Sequence, residues 1–273
     1  MAIRSIQTID TLDLPELAPY RTLRLEHEHL ANRIFVAEGE KVVRRLLASQ
    51  VEVLSVLLPG RWFDQLRSLI EGRPEMIRVF TADKKDLETL TGFSMYQGVL
   101  AVARMPPPLP LDVAYHCGRP PRLWVAVEGL ANAENVGAIV RNCVAFNVQA
   151  LLVGETSSSP FLRRAVRSSM GAVFCLPVVE THCLAAALSE LSRLGVRGVA
   201  AHPHAGGAFL GETSLEGDCC LVFGSEGHGL SDSVLAACQA HVAIPMAPAV
   251  DSLNVASAVA VFLFEIDRQR RRA

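Results

Sequence analysis

This chain lacks the cysteine and glycine patterns that mark several common protein classes. Its seven cysteines are odd in number, scattered and without a C-x-x-C pair, so the sequence predicts free, buried thiols rather than a disulfide framework. No G-x-G-x-x-G motif follows the first strand of the second half, so an ordinary dinucleotide-binding loop has no support. The chain also shows no internal repeat.

Membrane-spanning segments and an excess of positive charge are missing as well. The longest apolar stretches, Val51–Leu58 and Val255–Phe264, are too short or too interrupted to span a bilayer, and the N-terminus has no basic region followed by an apolar one. We therefore expect a cytosolic protein without a membrane partner. The formal net charge is -2, so any contact with nucleic acid must be local, at basic runs such as Lys41–Arg45 and Arg163–Arg167.

The chain is long and apolar enough for two modest domains, since 50% of its 273 residues are hydrophobic. Its only proline-dense region lies between residues 105 and 121, where we place the boundary. We predict a first domain over residues 1–105, a linker over 106–121 and a second domain over 122–273. In the first, the pattern indicates a strand and an amphipathic helix over 35–48, strands over 51–58 and 98–103, and a short helix over 86–90.

In the second domain, apolar strand-like runs alternate with helical patterns. The predicted strands are Leu123–Val127, Ala150–Val153, Val196–Ala201, Cys220–Phe223 and His241–Ile244, with helices beginning near Asn135, Phe161, Cys183, Ser231 and Ser252. Such alternation is typical of a parallel sheet covered by helices on both faces. The predicted fold class is therefore α/β.

Three polar clusters follow predicted strands in this domain. In the first, NVGAIVR over 135–141, Asn135 and Gly137 suit a turn and a helix N-terminus, and Arg141 lies just under two helical turns further on. Taken alone this motif is weak, and the competing interpretation is that Asn135 is a helix cap and Arg141 a surface residue.

The second cluster, FGSEGHGLS over 223–231, places Glu226 among three glycines at the carboxyl end of a strand, where open parallel sheets bind ligands. The third, IPMAPAVDSLN over 244–254, sets Ser252 and Asn254 close to the start of the last helix. A solvated glycine-rich turn and a plain helix cap are the competing interpretations of the two segments.

Together and in this order, the clusters resemble the signature motifs of the SpoU/TrmH branch of the SPOUT methyltransferases, over roughly Leu123 to Asp267; RSSMGA at 167–172 is similar to a further family element. The resemblance implies transfer of a methyl group from S-adenosylmethionine to a ribose 2′-hydroxyl of RNA, in a domain with a deep trefoil knot. The chain departs from the family in three places. Asn147 stands where the family usually has glycine, Ser225 where asparagine or another small residue is common, and Pro248-Ala249 in a region that normally shows glycine.

The resemblance also implies which residues act. The implied cofactor pocket is formed by Ala201, Phe223, Gly224, Ile244, Met246 and Leu253. The implied catalytic residues are Asn135, Arg141, Glu226, Ser252 and Asn254. Because arginine stays protonated in proteins, we expect Arg141 to hold an RNA phosphate or to stabilise the developing alkoxide, although a role as base remains open.

The first domain, with FVAEGEKVVR at 35–44 and YQGVL at 96–100, resembles the L30e-like substrate-binding domain of family members that act on ribosomal RNA. Candidate RNA contacts are Lys41, Arg44, Arg45 and Gln97, for which solvated helix residues are the alternative. The resemblance also implies a homodimer, for which the apolar last helix over 255–264 is an interface candidate, with a core helix as the alternative. Transfer-RNA methylation, antibiotic-resistance methylation and a catalytically silent RNA-binding protein stay open as alternatives. The pairs His27/His29 and His202/His204 lack a third ligand, so no metal is expected.

Overall fold

The computed structural model describes residues 3–9, 11–92, 94, 97–203 and 208–271. The chain forms two compact units. Unit 1 consists of Met1–Pro107 and Phe161–Phe174, and unit 2 of Pro108–Pro160 and Cys175–Ala273. The first change of unit falls inside the predicted linker, whereas the short segment Phe161–Phe174, which we had assigned to the second domain, packs in unit 1. No helix of the described residues is long and apolar enough to cross a membrane.

Unit 1 is built on a mixed sheet. Its described strands are β1 (Ile3–Thr8), β2 (Ile34–Glu38), β3 (Val53–Leu58), β4 (Ile77–Thr81) and β5 (Leu100–Arg104), in the spatial order β1-β4-β3-β5-β2. The pairs β1/β4 and β4/β3 are parallel, while β5 runs antiparallel to both β3 and β2. The predicted strands over 35–38, 51–58 and 98–103 are confirmed, but the sequence patterns did not identify β1 and β4.

Helices surround this sheet. They are α1 (Ala18–Arg21), α2 (Glu26–Ala31), α3 (Glu40–Leu47), α4 (Gly60–Glu71), α5 (Lys84–Thr91) and, from the second segment, α8 (Arg163–Ser168). The predicted amphipathic helix is α3, which buries Val42, Val43, Leu46 and Leu47 at helical spacing. Phe35 of β2 joins the second segment to the unit, because its ring centroid lies 5.5 Å from that of Phe161 and 5.7 Å from that of Phe174.

Unit 2 contains an all-parallel sheet. Its described strands are β6 (Leu123–Val127), β7 (Ala150–Val153), β8 (Val178–Glu180), β9 (Arg197–Ala201), β10 (Cys219–Phe223) and β11 (Ala240–Val242), ordered β11-β9-β10-β6-β7-β8. Every residue of β6, β7 and β10 is buried, as expected for strands covered on both faces. The α/β fold class is confirmed; β8 was missed because it is only three residues long.

The helices of unit 2 are α6 (Leu111–Cys117), α7 (Ala133–Ala145), α9 (Leu184–Arg193), α10 (Asp232–Ala237) and α11 (Val255–Arg270). The chain leaves α7 through Asn147, whose φ of 56° is left-handed, so the expectation that asparagine substitutes there for glycine is confirmed. The trefoil knot and the L30e-like character of unit 1 stay predictions.

The cysteines are only partly as predicted. All seven are free, and Cys143, Cys219 and Cys220 are buried; burial raises the pKa of the Cys219 thiol to about 11. The prediction was wrong for Cys117, Cys175 and Cys183, which are exposed. These three lie at helix ends, where the chain returns to the surface, so an apolar sequence context did not bury them.

Candidate active site

A cavity of about 410 Å³ lies in unit 2 where β9, β10 and β11 end. Its walls come from the segments that follow these strands and from the first turns of α11. All six residues expected to bind the cofactor line it, namely Ala201, Phe223, Gly224, Ile244, Met246 and Leu253. Phe223 is almost fully buried and packs edge-on against Phe262 of α11, with 5.4 Å between ring centroids. The cavity therefore has an apolar floor, as small-molecule sites generally do.

The FGSEGHGLS segment folds into a closed loop beside the cavity. The backbone N–H of Ser225 donates to the carbonyl of Gly229 (3.2 Å), and the N–H of Gly229 donates back to Ser225 (2.9 Å). Gly224 must be glycine, because a Cβ there would lie 2.2 Å from the Gly229 carbonyl carbon and oxygen. Glu226 lies inside this loop, so its position depends on the loop closing in this way.

Glu128, immediately after β6, holds the end of the same loop. Its carboxylate accepts a hydrogen bond from the Ser231 backbone N–H (2.8 Å) and another from the Ser231 hydroxyl (2.7 Å). Ser231 is also the N-cap of α10, as the capping interpretation predicted. Glu128 was not among the residues predicted from the sequence. An acidic residue directly after a fully buried strand is the signal that could have identified it.

Side chains from all three clusters meet in one hydrogen-bond network. Glu226 Oε1 accepts from Asn135 Nδ2 (2.7 Å) and from Asn254 Nδ2 (3.0 Å). Asn254 Nδ2 also lies 3.1 Å from Asn135 Oδ1, to which it donates. A carboxylate that accepts two amide donors is positioned more firmly than a solvated side chain, because charge-assisted hydrogen bonds are the stronger ones.

Two helix starts, those of α7 and α11, orient this network. The N-cap of α7 is Asn132, whose side chain accepts from the Glu134 N–H, so Asn135 lies inside the helix and is not its cap. The cap of α11 is Asn254 itself, whose Oδ1 accepts from the Ala256 N–H (3.0 Å) while its Nδ2 binds the network. The predicted start of a helix near Asn135 is confirmed, whereas the competing interpretation of Asn135 as its cap is wrong, because Asn132 occupies that position.

The other two predicted catalytic residues are placed differently. Ser252 lines the cavity. Arg141 is exposed on α7, does not line the cavity and makes no hydrogen bond or ion pair with any residue that the structure describes. The structure therefore brings four of the five predicted catalytic residues to one place and leaves the guanidinium of Arg141 available to a partner.

The predicted RNA contacts all belong to unit 1. Lys41 and Gln97 line a cavity of about 270 Å³, and the Gln97 side-chain oxygen accepts from the Glu40 N–H (3.1 Å). Arg44 instead pairs with Glu40 (2.7 Å), and Arg45 donates to the Met170 carbonyl (2.6 Å). Tyr96, part of the motif from which this surface was predicted, is not among the described residues.

Within the described part of the chain, no group of three or more side chains that could hold a metal ion occurs. His204 lies outside the described residues. His202 lines the cavity of unit 2, and His29 is buried, with its Nε2 3.1 Å from the Thr22 hydroxyl. Burial lowers the pKa of His29, which favours its neutral form.

Comparison with known proteins agrees with this geometry. The model of the SpoU rRNA Methylase family matches residues 122–264, more than half of the chain. An uncharacterized tRNA/rRNA methyltransferase of Mycobacterium tuberculosis is 31% identical over 271 residues, covering 96% of this chain and 92% of that protein. A solved RNA 2′-O ribose methyltransferase is 25% identical with a TM-score of 0.78, covering 98% of this chain and all of that one.

The fold is also that of AviRb, a SpoU methyltransferase from Streptomyces viridochromogenes, with a TM-score of 0.82 at 23% identity, covering 95% of this chain and 98% of that one. The chain belongs to the SpoU rRNA Methylase family. Since this family transfers methyl groups from S-adenosylmethionine to RNA, the protein is an S-adenosylmethionine-dependent RNA methyltransferase.

Proposed function

We propose that this enzyme methylates a ribose 2′-hydroxyl of ribosomal RNA. The observation that carries the proposal is the network of Asn135, Glu226 and Asn254 beside a cavity lined by all six expected cofactor residues. These side chains come from three distant segments, yet their polar atoms converge within hydrogen-bond distance. A set of amide and carboxylate groups next to an apolar cavity suits the alignment of a polar acceptor against a bound cofactor.

The cavity fits S-adenosylmethionine in size and chemistry. Its volume of about 410 Å³ is within the range of roughly 300–1,000 Å³ that small-molecule sites occupy. Phe223, Met246 and Leu253 supply apolar walls for an adenine ring, and the backbone of Gly224 and Ile244 supplies polar groups. When bound, the cofactor supplies an electrophilic methyl group on a sulfonium.

The side chains around the cavity then act on the ribose. Ser252 and Asn254 hold the hydroxyl, and Glu226 fixes the two asparagine amides so that they do not have to reorganise during the reaction. Because an arginine side chain carries a positive charge, Arg141 stabilises the alkoxide that develops as the 2′-hydroxyl gives its proton to solvent water, or holds the adjacent phosphate.

The proposal includes a homodimer. Val261 and Phe264 of α11 are 39% and 60% exposed, one turn apart, although the helix is otherwise a core element. Helix α7 packs on α11, with Asn142 Nδ2 donating to the Ala256 carbonyl (2.7 Å), and also carries Arg141. A second copy that covers α11 would bury this apolar surface and place protein next to Arg141.

Sedimentation velocity tests the dimer. We expect Phe264→Glu to shift the protein from dimer to monomer, because it places charge in an apolar interface, while Phe264→Leu stays dimeric. A wild-type protein that sediments as a monomer at micromolar concentration would contradict this part of the proposal.

Ribosomal RNA is favoured over transfer RNA by the resemblance of unit 1 to a ribosomal-RNA-binding domain. The relatives are named for both substrates, so the RNA class is part of the proposal. A silent RNA-binding protein is the alternative from a different class; its support is limited to Pro248, in a loop where the family has glycine.

The test combines cofactor binding with methyl transfer. Wild type and Arg141→Ala are titrated with S-adenosylmethionine by calorimetry, and each is then given tritiated cofactor with total ribosomal RNA or total transfer RNA. We expect alkali-resistant label in ribosomal RNA from wild type, since a 2′-O-methyl group blocks alkaline cleavage, and none from Arg141→Ala despite normal cofactor binding. Label in transfer RNA alone would favour the alternative substrate, label that alkali releases would overturn ribose methylation, and neither heat nor label would favour the silent protein.

A further inference from the structure

The cavity of about 270 Å³ in unit 1 has no role in the site described above. It opens beside the start of α3, and β2, the segment before β5 and the second segment of unit 1 also contribute to its walls. The residues that matter for its chemistry are Lys41, Val42, Gln97, Val99, Arg167 and Met170. At slightly below about 300 Å³, the cavity suits a group smaller than a whole cofactor.

The lining has an apolar part and a cationic part. Met170 is half-buried and offers apolar surface to the cavity, whereas Val42 and Val99 also line it but are almost fully buried. Lys41 is exposed and makes no ion pair with a described residue, and the Arg167 side chain is 64% exposed. This combination of apolar surface with exposed cations suits a base joined to a phosphate.

The carboxylates in the lining do not cancel the positive charge. Glu38 pairs with Arg163 and lies 3.4 Å from Arg167 Nη1, and Glu40 pairs with Arg44. The lining itself carries two carboxylates and two cations, Lys41 and Arg167, and each carboxylate is also paired with an arginine that does not line the cavity. Because Arg163 and Arg44 neutralise these carboxylates, Lys41 and the largely exposed Arg167 side chain remain available to an anionic ligand.

Two hydrogen bonds hold residues of the lining, one to the Gln97 side chain and one to the Met170 backbone. The Gln97 oxygen is occupied by the Glu40 N–H, while its Nε2 has no partner among the described residues and is left to donate. Met170 has a left-handed backbone, φ 55°, and its carbonyl accepts from Arg45 Nη1 (2.6 Å). A strained non-glycine backbone that another side chain holds in place is characteristic of ligand-binding positions.

We propose that this cavity holds one splayed nucleotide of the RNA substrate. The base packs on Met170, Gln97 Nε2 donates to its edge, and Lys41 and Arg167 bind the phosphate. Arg45, which sequence analysis placed among the RNA contacts, acts instead by fixing the Met170 backbone. The choice of RNA as ligand rests on the proposed function, whereas the nucleotide chemistry rests on the lining itself.

Methyl NMR of the full-length protein tests this inference. The chain has only six methionines, so a protein labelled with 13C at the methionine methyl groups gives few signals. The signal of Met170 is assigned by its loss in Met170→Leu, and that of Met246 reports the cofactor cavity. With S-adenosylhomocysteine present to fill that cavity, the four ribonucleoside 5′-monophosphates, ribose 5-phosphate and inorganic phosphate are titrated in turn.

We expect at least one nucleotide to shift the Met170 signal saturably, with no comparable shift from ribose 5-phosphate or phosphate. Arg167→Ala should weaken this binding by about tenfold. Arg164→Ala is the matched control, since Arg164 is an exposed arginine of the same helix that does not line the cavity. In the methyl-transfer assay, Arg167→Ala should raise the KM for RNA and leave the KM for the cofactor unchanged.

A Met170 signal that no nucleotide moves would overturn the inference, as would an equal shift with ribose 5-phosphate or an equal loss with Arg164→Ala. The cofactor-induced shift of Met246 and methylation of RNA test the proposed function separately. Methylation without a nucleotide effect at Met170 would therefore refute the nucleotide cavity alone. Nucleotide binding at Met170 in a protein that methylates no RNA would refute the proposed function alone.

Discussion

The cavity of unit 2 and that of unit 1 are built on different physical principles. In unit 2, amide and carboxylate groups from three segments bond to one another, and the loop that carries Glu226 closes on itself. In unit 1, Met170 offers apolar surface while Lys41 and Arg167 are exposed. The first arrangement depends on the position of atoms to within a fraction of an ångström, and the second on charge and shape. Substitutions in the two cavities should therefore affect different quantities.

The largest effect is expected at Glu226. Removing its carboxylate in Glu226→Ala leaves the amides of Asn135 and Asn254 without their shared acceptor, so the maximal methylation rate should fall by roughly 10²- to 10³-fold, as for the loss of a preorganised polar group. Glu226→Gln is the matched control, since its amide oxygen can still accept, and we expect it to lose much less. Rates on ribosomal RNA at saturating substrate measure both. Equal rates for wild type and Glu226→Ala would show that the network does not serve catalysis.

The next largest effect is expected from a substitution that prevents the FGSEGHGLS loop from closing. In Gly224→Ala the new Cβ would lie 2.2 Å from backbone atoms of Gly229, so the loop must shift and the cavity change shape. We expect cofactor affinity to fall by at least about tenfold, more than about 1.4 kcal/mol. Gly227 in the same loop has open space where a Cβ would lie, so Gly227→Ala should bind normally. Calorimetry compares the two, and equal affinities would contradict the loop geometry.

Substitutions of Glu128 distinguish two roles of its side chain, which are to hold Ser231 in place and to supply a negative charge. Glu128→Ala removes both hydrogen bonds to Ser231 and should raise the KM for the cofactor by about tenfold, given about 1.5–3 kcal/mol for a hydrogen bond to a charged group and partial replacement by water. Glu128→Gln keeps both contacts, because its oxygen can accept from the Ser231 N–H and its amide can donate to the hydroxyl. Recovery in Glu128→Gln is therefore expected, and its failure would mean that the charge itself is needed.

The smallest effect is expected on the salt dependence of RNA binding. Lys41→Ala should reduce the slope of log affinity for RNA against log salt concentration by about 0.7, the value per phosphate contact in single strands. Cofactor affinity should not change, because Lys41 does not line the unit 2 cavity. Filter binding over a range of KCl concentrations measures the slope, with Lys84→Ala, a lysine outside the unit 1 cavity, as control. A slope that is the same in all three proteins would remove Lys41 from the RNA surface.

Local signals in the sequence predicted much of unit 2. Its longer strands, the Ser231 cap and the left-handed Asn147 each depend on residues close together in the chain, where hydrophobic periodicity and turn chemistry act. The resemblance of the motifs also indicated the cofactor residues, all of which line one cavity. Short strands such as β8 carry too few residues for a period to be visible.

The class of the fold and the segments that carry the site were thus already determined by the order of the amino acids. Packing in three dimensions decided that Glu226 shares its acceptor oxygen between two asparagines, that Glu128 holds Ser231, and that Arg167 joins Lys41 in unit 1. Most of these contacts link residues about a hundred positions apart. Hydrophobic patterns and helix caps specify only neighbours in the chain, whereas such distant pairs form only once the sheets and their loops have packed.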